Sequence, residues 1–230
     1  MKRKLLLWDI DGTLITTQRA GRRALTRTLK VIFSIDSDLS FLEMAGRTDP
    51  FIIQQIFKNF GITITEKATH DFFEAYFGFL QEELSTAGGS MHPGILNILE
   101  LARQRADVSQ GLLTGNLERG AKIKLVQYDL WRYFEFGAFG NDGATRNDLG
   151  PQALRRATKL HGVNFTPDNV FVIGDTPHDI ACGKAIGAKT IAVATGGSSL
   201  EELQAAEPTA VLKDLSDAKA FFRIVDGGKA

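Results

Sequence analysis

The chain has 230 residues, enough for one large domain or for one domain that carries a substantial insertion. Hydrophobic residues make up 43% and charged residues 23%, as in ordinary globular proteins, and 27 basic side chains balance 27 acidic ones. This balance argues against partners such as nucleic acid or an anionic membrane. The single cysteine, Cys182, excludes an internal disulfide, and no segment is long and apolar enough to span a bilayer. We therefore expect a cytoplasmic protein.

The first predicted element is a buried strand that runs into two aspartates. Residues 5–8 are continuously apolar, which is typical of a strand buried on both faces in a parallel sheet. Asp9 and Asp11 follow two positions apart, so their carboxylates project to the same side while the chain is extended. Gly12 then lets the backbone change direction. Because ligands of such sheets bind beyond the carboxyl ends of the strands, we expect both acids at a reactive site, although a strand ending in an ordinary turn is the simpler alternative.

Residues from about 16 to 90 are predicted to form a separate helical unit. Apolar residues recur at helical spacing from 18 to 33, and the next helix has Asp49 as an N-cap and Pro50 in its first turn. A third, longer helix is predicted from Thr65 onward. Nine of the sixteen phenylalanines lie between positions 33 and 79, which favours a packed hydrophobic core over a cofactor site. The Gly- and Ser-rich segment at 85–90 is the expected linker.

Beyond the linker, predicted strands and helices alternate. The strands cover 108–114, 170–173, 190–193 and 210–212, and the helices begin near Pro93, Glu118, Gly150, Pro177 and Asp214. Such alternation indicates parallel βαβ units with right-handed crossovers. The predicted fold is therefore α/β: a Rossmann-like parallel sheet in a core of residues 1–15 and 91–230, with a helical cap of residues 16–90 inserted after the first strand.

Polar groups follow two further strands. Thr114, Gly115 and Asn116 end one of them: the hydroxyl can bind a phosphoryl oxygen, the glycine allows close approach, and the amides that open the next helix favour an anion. Asp175 ends the Val-Phe-Val-Ile strand, and Asp179 lies one helical turn later. The simpler interpretations are a threonine N-cap and carboxylates that complement a helix N-terminus.

Together, these motifs resemble those of the haloacid dehalogenase-like hydrolases, specifically their phosphatase branch. The matching segments are Asp-Ile-Asp-Gly-Thr at 9–13, Thr-Gly-Asn at 114–116 and Gly-Asp-Thr-Pro-His-Asp at 174–179, and they extend over nearly the whole chain. The resemblance implies a Rossmann-like core, a helical cap and phosphoryl transfer through an aspartate.

The resemblance also implies roles for the acidic residues. Asp9 is the expected nucleophile, which forms an aspartyl-phosphate, and Asp11 the group that protonates the leaving oxygen and later takes a proton from water. A Mg²⁺ ion would be held by Asp9, Asp175 and the backbone carbonyl of Asp11, with Asp179 reaching it directly or through its waters. Thr114, Gly115 and Asn116 would bind the phosphoryl group.

The expected cation departs from the family pattern. The family usually places a lysine, often followed by proline, ahead of the helix between these motifs, but residues 142–149 contain no lysine. Arg146 is the cation at a suitable place, and arginine binds carboxylate and phosphate bidentately and stays charged. Lys159, inside the helix beside Arg155 and Arg156, fits a solvated face better.

In the cap, Gly-Arg-Thr-Asp at 46–49 is similar to a segment of the phosphoglycolate phosphatase and phosphomutase relatives, in which an arginine can approach the substrate. Arg47 and Thr48 are therefore candidate substrate-binding residues. The alternative is a helix start capped by Asp49, which needs no ligand.

The predicted function is Mg²⁺-dependent hydrolysis of a small phosphorylated metabolite. The first alternative is a phosphomutase acting on a sugar phosphate, which would share every motif. A metal-independent 2-haloacid dehalogenase is disfavoured because Asp11 and Asp175 would have no role. A non-catalytic phosphate-binding homologue is disfavoured because four neighbouring buried carboxylates are costly without a cation. One sequence identifies neither the phosphomonoester nor the oligomeric state.

Overall fold

The computed structural model describes residues 3–86 and 88–228. Its strands are β1 (Lys4–Trp8), β2 (Ile15–Thr16), β3 (Ser90–Met91), β4 (Val108–Leu113), β5 (Gly137–Ala138), β6 (Val170–Gly174), β7 (Lys189–Val193) and β8 (Ala210–Leu212). Its α-helices are α1 (Ala20–Phe33), α2 (Asp49–Asn59), α3 (Glu66–Thr86), α4 (Ile95–Gln104), α5 (Glu118–Gln127), α6 (Leu149–His161), α7 (Pro177–Ala185), α8 (Leu200–Ala205) and α9 (Ala218–Val225).

Within the described residues, six strands form a parallel sheet in the order β5-β4-β1-β6-β7-β8. β1 is central: Leu5 pairs with Ser109 of β4 and with Val170 of β6. The chain builds the sheet outward from β1 in both directions, so the carboxyl end of β1 lies at a topological switch point, where open α/β sheets bind ligands. The predicted Rossmann-like fold is confirmed.

β1 is buried because helices cover both faces of the sheet. Leu5 and Leu7 pack into a hydrophobic core against α6 and α7, and Leu6 and Trp8 pack into another against α4 and α9. All four side chains are fully buried, and the Trp8 ring stacks on Phe221 with centroids 5.5 Å apart. This alternation explains why the strand is apolar from Leu5 to Trp8. The polar residue that follows, Asp9, lies just beyond its end.

Helices α1 to α3 have a hydrophobic core of their own. Phe57 and Phe72, both almost fully buried, meet edge to face with ring centroids 5.5 Å apart, and Phe33 meets Phe57 in the same way. The phenylalanine-rich stripes are thus packing residues. The two connections to the sheet run side by side, because β2 pairs antiparallel with β3. These features support the division into core and cap at residues 16 and 90, which remains a prediction.

Two element boundaries differ from those expected. α1 begins at Ala20, since Gln18 and Arg19 adopt left-handed backbone angles, with φ of 47° and 64°. The last helix begins at Ala218 and not near Asp214, because the Asp217 side chain accepts the Ala220 amide at 3.0 Å and caps it.

Of the expected linker at 85–90, residues 85 and 86 belong to α3 and Ser90 begins β3, while Ala87 lies outside the described residues. Among residues 3–86 and 88–228, no helix combines the length and apolar character that crossing a bilayer requires.

Candidate active site

A cavity of about 950 Å³ lies between the carboxyl end of the sheet and the cap helices. This volume is at the upper end of the range usual for small-molecule sites. Its lining combines core residues with cap residues. From the core come Asp9, Asp11, Thr114, Gly115, Asn116, Lys124, Arg146 and Asp175, and from the cap Arg47, Asp49 and Tyr76, among others.

Three buried carboxylates lie close together, and two of them, Asp9 and Asp175, line this cavity. Asp9 follows β1 and Asp175 follows β6, and because these strands are neighbours the two side chains are brought together. With Asp179 from α7, they offer oxygens that all lie within 4.8 Å of one another, and each residue is no more than 6% exposed. Burial, reinforced by neighbouring acids including Asp179, raises the pKa of Asp9 to about 6 although Arg146 opposes the shift. Burial and the charges of Asp179 and Asp9 also raise the pKa of Asp175.

The chain is built to hold the Asp175 carboxylate in this cluster. The Thr13 hydroxyl donates to Asp175 Oδ1 at 3.0 Å. A Cβ at Gly196 would lie 1.6 Å from Asp175 Oδ2, and one at Gly12, whose φ is +87°, would lie 2.3 Å from it. Two glycines therefore leave the space that this side chain occupies.

The donor set fits a hard divalent cation. Mg²⁺ prefers oxygen ligands, keeps several waters and is typically bound by one or two carboxylates. Asp9 and Asp175 supply such carboxylates, and Asp179 supplies a third nearby. Burial and the neighbouring acids raise the pKa values of Asp9 and Asp175, and a cation would favour the charged form of both carboxylates.

Arg146 occupies the position of the expected cation. It begins the short 3₁₀ turn Arg146–Asp148, which a reciprocal Thr145 and Asp148 hydrogen-bond pair fixes ahead of α6. Its Nη2 donates to Asp9 Oδ1 at 2.8 Å and also to Asp179 Oδ1. Although burial opposes it, the charges of Asp179 and Asp9 raise the pKa of Arg146, so the guanidinium stays protonated.

A hydrogen-bonded network connects Thr114 and Asn116 with Asp11. Asn116 Nδ2 donates to Asp11 Oδ2 and to Thr114 Oγ1, both at 2.9 Å. The Thr114 hydroxyl also accepts the Asn116 backbone amide at 3.3 Å, so its own hydrogen is left for a ligand. Of the two aspartates of the first motif, Asp9 thus lies against Arg146 and Asp11 against Asn116.

Lys124 belongs to this network and was missed from the sequence. Its Nζ donates to Asp11 Oδ2 and to Asn116 Oδ1, both at 2.6 Å, and the residue is only 5% exposed. Burial opposes it, but the charges of Asp11 and Asp49 raise the pKa of Lys124. The signal was a lysine on the buried face of α5, between Ala121 and Leu125, where a solvated lysine is not expected.

The cap contacts the core directly at Asp49. Its backbone amide donates to Gly115 O at 2.8 Å, and its Oδ2 accepts the Leu117 amide at 2.8 Å. A cap side chain therefore satisfies an amide at the N-terminus of core helix α5. Burial raises the pKa of Asp49 to about 6, with Lys124 opposing the shift. Gly115 permits the approach, since a Cβ there would lie 2.1 Å from Arg47 O.

The two cap residues predicted to bind substrate lie in different surroundings. Arg47 lines the cavity, with its guanidinium 5.1 Å from the centroid of the Phe51 ring and 3.4 Å from Glu43. Thr48 is buried and is not part of the cavity lining; its hydroxyl accepts the Phe51 amide at 3.4 Å and caps α2. Thr48 therefore acts as the N-cap of α2. Arg47, in contrast, lines the cavity, where a ligand can meet it. Asp49 does not act as the cap of its own helix.

The comparisons with known proteins agree with this geometry. A family model described as HAD-hydrolase-like matches residues 146–218. A phosphoglycolate phosphatase from Pseudomonas fluorescens is 26% identical over 220 residues, which make up 92% of this chain and 77% of that protein. The pyrophosphatase PpaX from Bacillus mycoides is 24% identical over 229 residues, covering 99% of this chain and 100% of that protein.

The fold is also that of solved members of the family. CbbY from Rhodobacter sphaeroides, crystallised in complex with phosphate, matches with a TM-score of 0.74 at 17% identity, covering 94% of this chain and 96% of that chain. The matched segment, the curated relatives and the fold thus all resemble the haloacid dehalogenase-like hydrolases. The curated relatives that span most of this chain are named as phosphatases, which supports an enzyme of that hydrolase class.

Proposed function

We propose that this protein is a Mg²⁺-dependent phosphatase that hydrolyses a small phosphomonoester through an aspartyl-phosphate on Asp9. The proposal rests on the carboxylate cluster of Asp9, Asp175 and Asp179, whose oxygens lie within 4.8 Å of one another. Arg146 also binds the Asp9 carboxylate. The phosphatase names of the curated relatives support the reaction class. A cytoplasmic location remains an expectation.

Asp9, Asp175, the Asp11 backbone carbonyl and Asp179 would hold the metal, which when bound offsets the repulsion between the carboxylates and the phosphoryl group. Asp9 is the nucleophile, because a carboxylate needs no base to activate it. One Asp9 oxygen attacks phosphorus in line with the bond to the leaving oxygen. Arg146 holds Asp9 in place and can bind the transferring phosphoryl oxygens, and the Thr114 hydroxyl donates to another.

Asp11 moves the protons. In the first step, its carboxylic acid protonates the leaving oxygen, so that an alcohol departs and Asp11 becomes a carboxylate. In the second step, Asp11 takes a proton from the water that attacks the aspartyl-phosphate, which releases phosphate and restores both aspartates. Asn116 and Lys124 fix the Asp11 carboxylate through both steps. Contact between the cap and Gly115 limits the access of bulk water.

The experiment is a phosphate-release assay over small phosphorylated metabolites, with Mg²⁺ and with EDTA, that includes phosphoglycolate and pyrophosphate because relatives are named for them. We expect release that needs Mg²⁺ and that Asp9→Asn abolishes. Asp168→Asn is the matched control, because Asp168 is exposed and lies outside the cavity. Release by Asp9→Asn at the wild-type rate would contradict the proposal. Repeated turnover of a sugar phosphate without free phosphate would indicate the phosphomutase alternative.

A further inference from the structure

Thr195 connects the two backbone segments that enclose the Asp175 carboxylate. It lies two residues beyond β7, and its hydroxyl donates to the carbonyl oxygen of Gly12, 183 residues earlier in the chain, at 2.6 Å. We propose that Thr195 is a positioning residue, whose hydrogen bond to Gly12 holds Asp175 where it can share a divalent cation with Asp9. This inference rests on the proposed function, in which neither the sequence motifs nor the reaction steps give Thr195 a role.

The order of the strands explains why this hydrogen bond encloses Asp175. β6 lies between β1 and β7 and pairs with both of them in parallel. Asp175 leaves the carboxyl end of β6, whereas Gly12 and Thr195 belong to the segments that follow β1 and β7. A hydrogen bond between those two segments therefore spans the end of β6, from which the carboxylate emerges.

Both connected segments contact the Asp175 carboxylate. A Cβ at Gly12 would lie 2.3 Å from Asp175 Oδ2, and one at Gly196 would lie 1.6 Å from it, so both backbones approach this oxygen closely. The other oxygen, Oδ1, accepts the hydroxyl of the fully buried Thr13 at 3.0 Å. The contacts thus form a ring, from Asp175 through Thr13 and Gly12 to Thr195 and Gly196 and back to Asp175. The Thr195 hydroxyl closes this ring.

The Gly12 carbonyl is the part of this ring that most needs a partner. Gly12 has a left-handed φ of +87°, and glycine moves between such conformations at little cost. Its carbonyl belongs to the planar peptide that leads into Thr13, so the bond from Thr195 fixes the orientation of that peptide. It thereby fixes the starting point of the Thr13 side chain that binds Asp175. Groups that orient metal ligands in this way affect metal affinity without touching the metal.

Thr195 also lines the cavity, so a direct contact with the substrate is the competing role. Its hydrogen is already used by the Gly12 carbonyl, at a distance on the short side of the usual range for a hydroxyl donor. A contact with the substrate would change the substrate KM at saturating Mg²⁺. A positioning role changes the affinity for Mg²⁺ itself, with no substrate present. The two roles therefore predict different measurements.

The test is a Mg²⁺ titration of the substrate-free protein, followed through the thermal unfolding midpoint. Thr195→Val removes the hydroxyl and keeps the shape of the side chain. It should raise the dissociation constant for Mg²⁺ roughly 3- to 10-fold, the effect of one hydrogen bond. Thr195→Ala, a second variant without the hydroxyl, should do the same, and Thr195→Ser should recover most of the affinity. The midpoints in EDTA show that each variant is folded.

Thr28→Val is the matched control for this titration. The Thr28 hydroxyl also donates to a backbone carbonyl, that of Ala24 at 2.8 Å, but it lies in the cap helix α1 and outside the cavity lining. This variant should bind Mg²⁺ as wild type does, even if its midpoint in EDTA is lower.

Wild-type Mg²⁺ affinity in Thr195→Val and Thr195→Ala would overturn the inference, and so would an affinity in Thr195→Ser as low as theirs. A higher substrate KM at saturating Mg²⁺, with unchanged Mg²⁺ affinity, would assign Thr195 to the substrate and overturn it as well. Because the titration needs no turnover, its result is separate from the proposed hydrolysis. A Mg²⁺ affinity that depends on the Thr195 hydroxyl, in a protein that releases no phosphate, supports the inference and contradicts the hydrolytic proposal. Phosphate release that needs Mg²⁺, without any effect of Thr195 on Mg²⁺ affinity, does the reverse, and a wild type that binds no Mg²⁺ contradicts both.

Discussion

Arg146 and Asp9 form a buried ion pair, with Nη2 2.8 Å from Oδ1 and neither residue more than 9% exposed. The same guanidinium nitrogen also donates to Asp179, the last residue of the motif at 174–179. Arg146 therefore binds both the proposed nucleophile and a proposed metal ligand. Because the pair is buried, removing one partner leaves the other without compensation. The ion pair makes Arg146 both a candidate catalytic residue and a determinant of stability.

Replacing Arg146 separates these two roles. We expect Arg146→Met to lower kcat roughly 100- to 1000-fold, the loss typical of removing a charge-stabilising donor. It should also lower the free energy of unfolding by about 3 kcal/mol or more in EDTA, as when a buried ion pair is broken. Arg146→Lys should recover part of both, since it restores the charge but not the bidentate geometry. Phosphate release and chemical denaturation measure the two effects, and an Arg146→Met enzyme of wild-type activity would exclude a catalytic role.

The Asp175 carboxylate depends on the space left by Gly196. A methyl group at Gly196 would lie 1.6 Å from Asp175 Oδ2, whereas one at the next residue, Gly197, would meet no atom within 4 Å. Gly196→Ala should therefore displace Asp175 and weaken Mg²⁺ binding, and Gly197→Ala should leave it intact. At a Mg²⁺ concentration about 100 times its dissociation constant, wild type should gain about 2.7 kcal/mol of stability. Thermal unfolding with and without Mg²⁺ checks this, and an undiminished Mg²⁺ effect in Gly196→Ala would argue against a metal on Asp175.

Lys124 is expected to position Asp11. Lys124→Met removes the Nζ that donates to Asp11 at 2.6 Å and leaves the proton-transferring carboxylate held by Asn116 alone. We expect kcat to fall about 10- to 100-fold, less than the roughly 100- to 10,000-fold that acid–base catalysis contributes, because Asp11 itself is retained. Lys122→Met on the same helix is the matched control, because Lys122 is exposed. Steady-state kinetics of both variants decide the matter: similar kcat values in the two would remove Lys124 from the mechanism.

The pH dependence of stability should report on Asp49. Burial raises its pKa in the folded protein to about 6 from an ordinary 3.8. Since the folded state then binds the proton more tightly than the unfolded state, Asp49 makes the protein more stable as pH falls through about 6 toward 4. Between pH 7 and pH 5, we expect this residue to contribute about 1 kcal/mol. Asp49→Asn keeps an acceptor for the Leu117 amide and should remove that part of the slope.

Denaturation in EDTA at both pH values measures the slope without a metal contribution. Other buried acids, Asp9 among them, contribute in the same direction, so the informative quantity is the difference between wild type and Asp49→Asn. Asp168→Asn, at an exposed position, should show the wild-type slope. If Asp49→Asn also retained the full wild-type slope, the raised pKa of Asp49 would be excluded.

The fold and the acidic part of the site could be predicted because their signals are local. A continuously apolar strand followed by Asp9 already places the carboxylate at the end of a buried strand, and the same holds for Asp175 after β6. Once both strands are parallel neighbours, the two carboxylates must lie at the same edge of the sheet. The catalytic and binding roles of these residues remain predictions.

The parts that the sequence did not predict depend on contacts between distant segments. The position of Lys124 between Ala121 and Leu125 indicates burial, but its partners are defined only once α5 is packed with its buried face toward Asp11 and Asn116. The sequence suggests that Asp49 caps its own helix. Its side chain instead accepts the amide of Leu117 at the N-terminus of α5, 68 residues further along the chain. The pair β2 and β3, with two residues in each strand, is too short for an alternating pattern and forms only because the ends of the cap meet.

The most direct test of the account is to locate the covalent phosphate. Enzyme quenched during turnover of a reactive phosphomonoester with Mg²⁺ is treated with borohydride, which reduces an aspartyl-phosphate to homoserine, and is then mapped by mass spectrometry. We predict homoserine at position 9 of wild type, and at no position in Asp9→Asn or in enzyme quenched without substrate. Phosphate release with an unmodified Asp9, or with homoserine at another aspartate, would contradict the central claim.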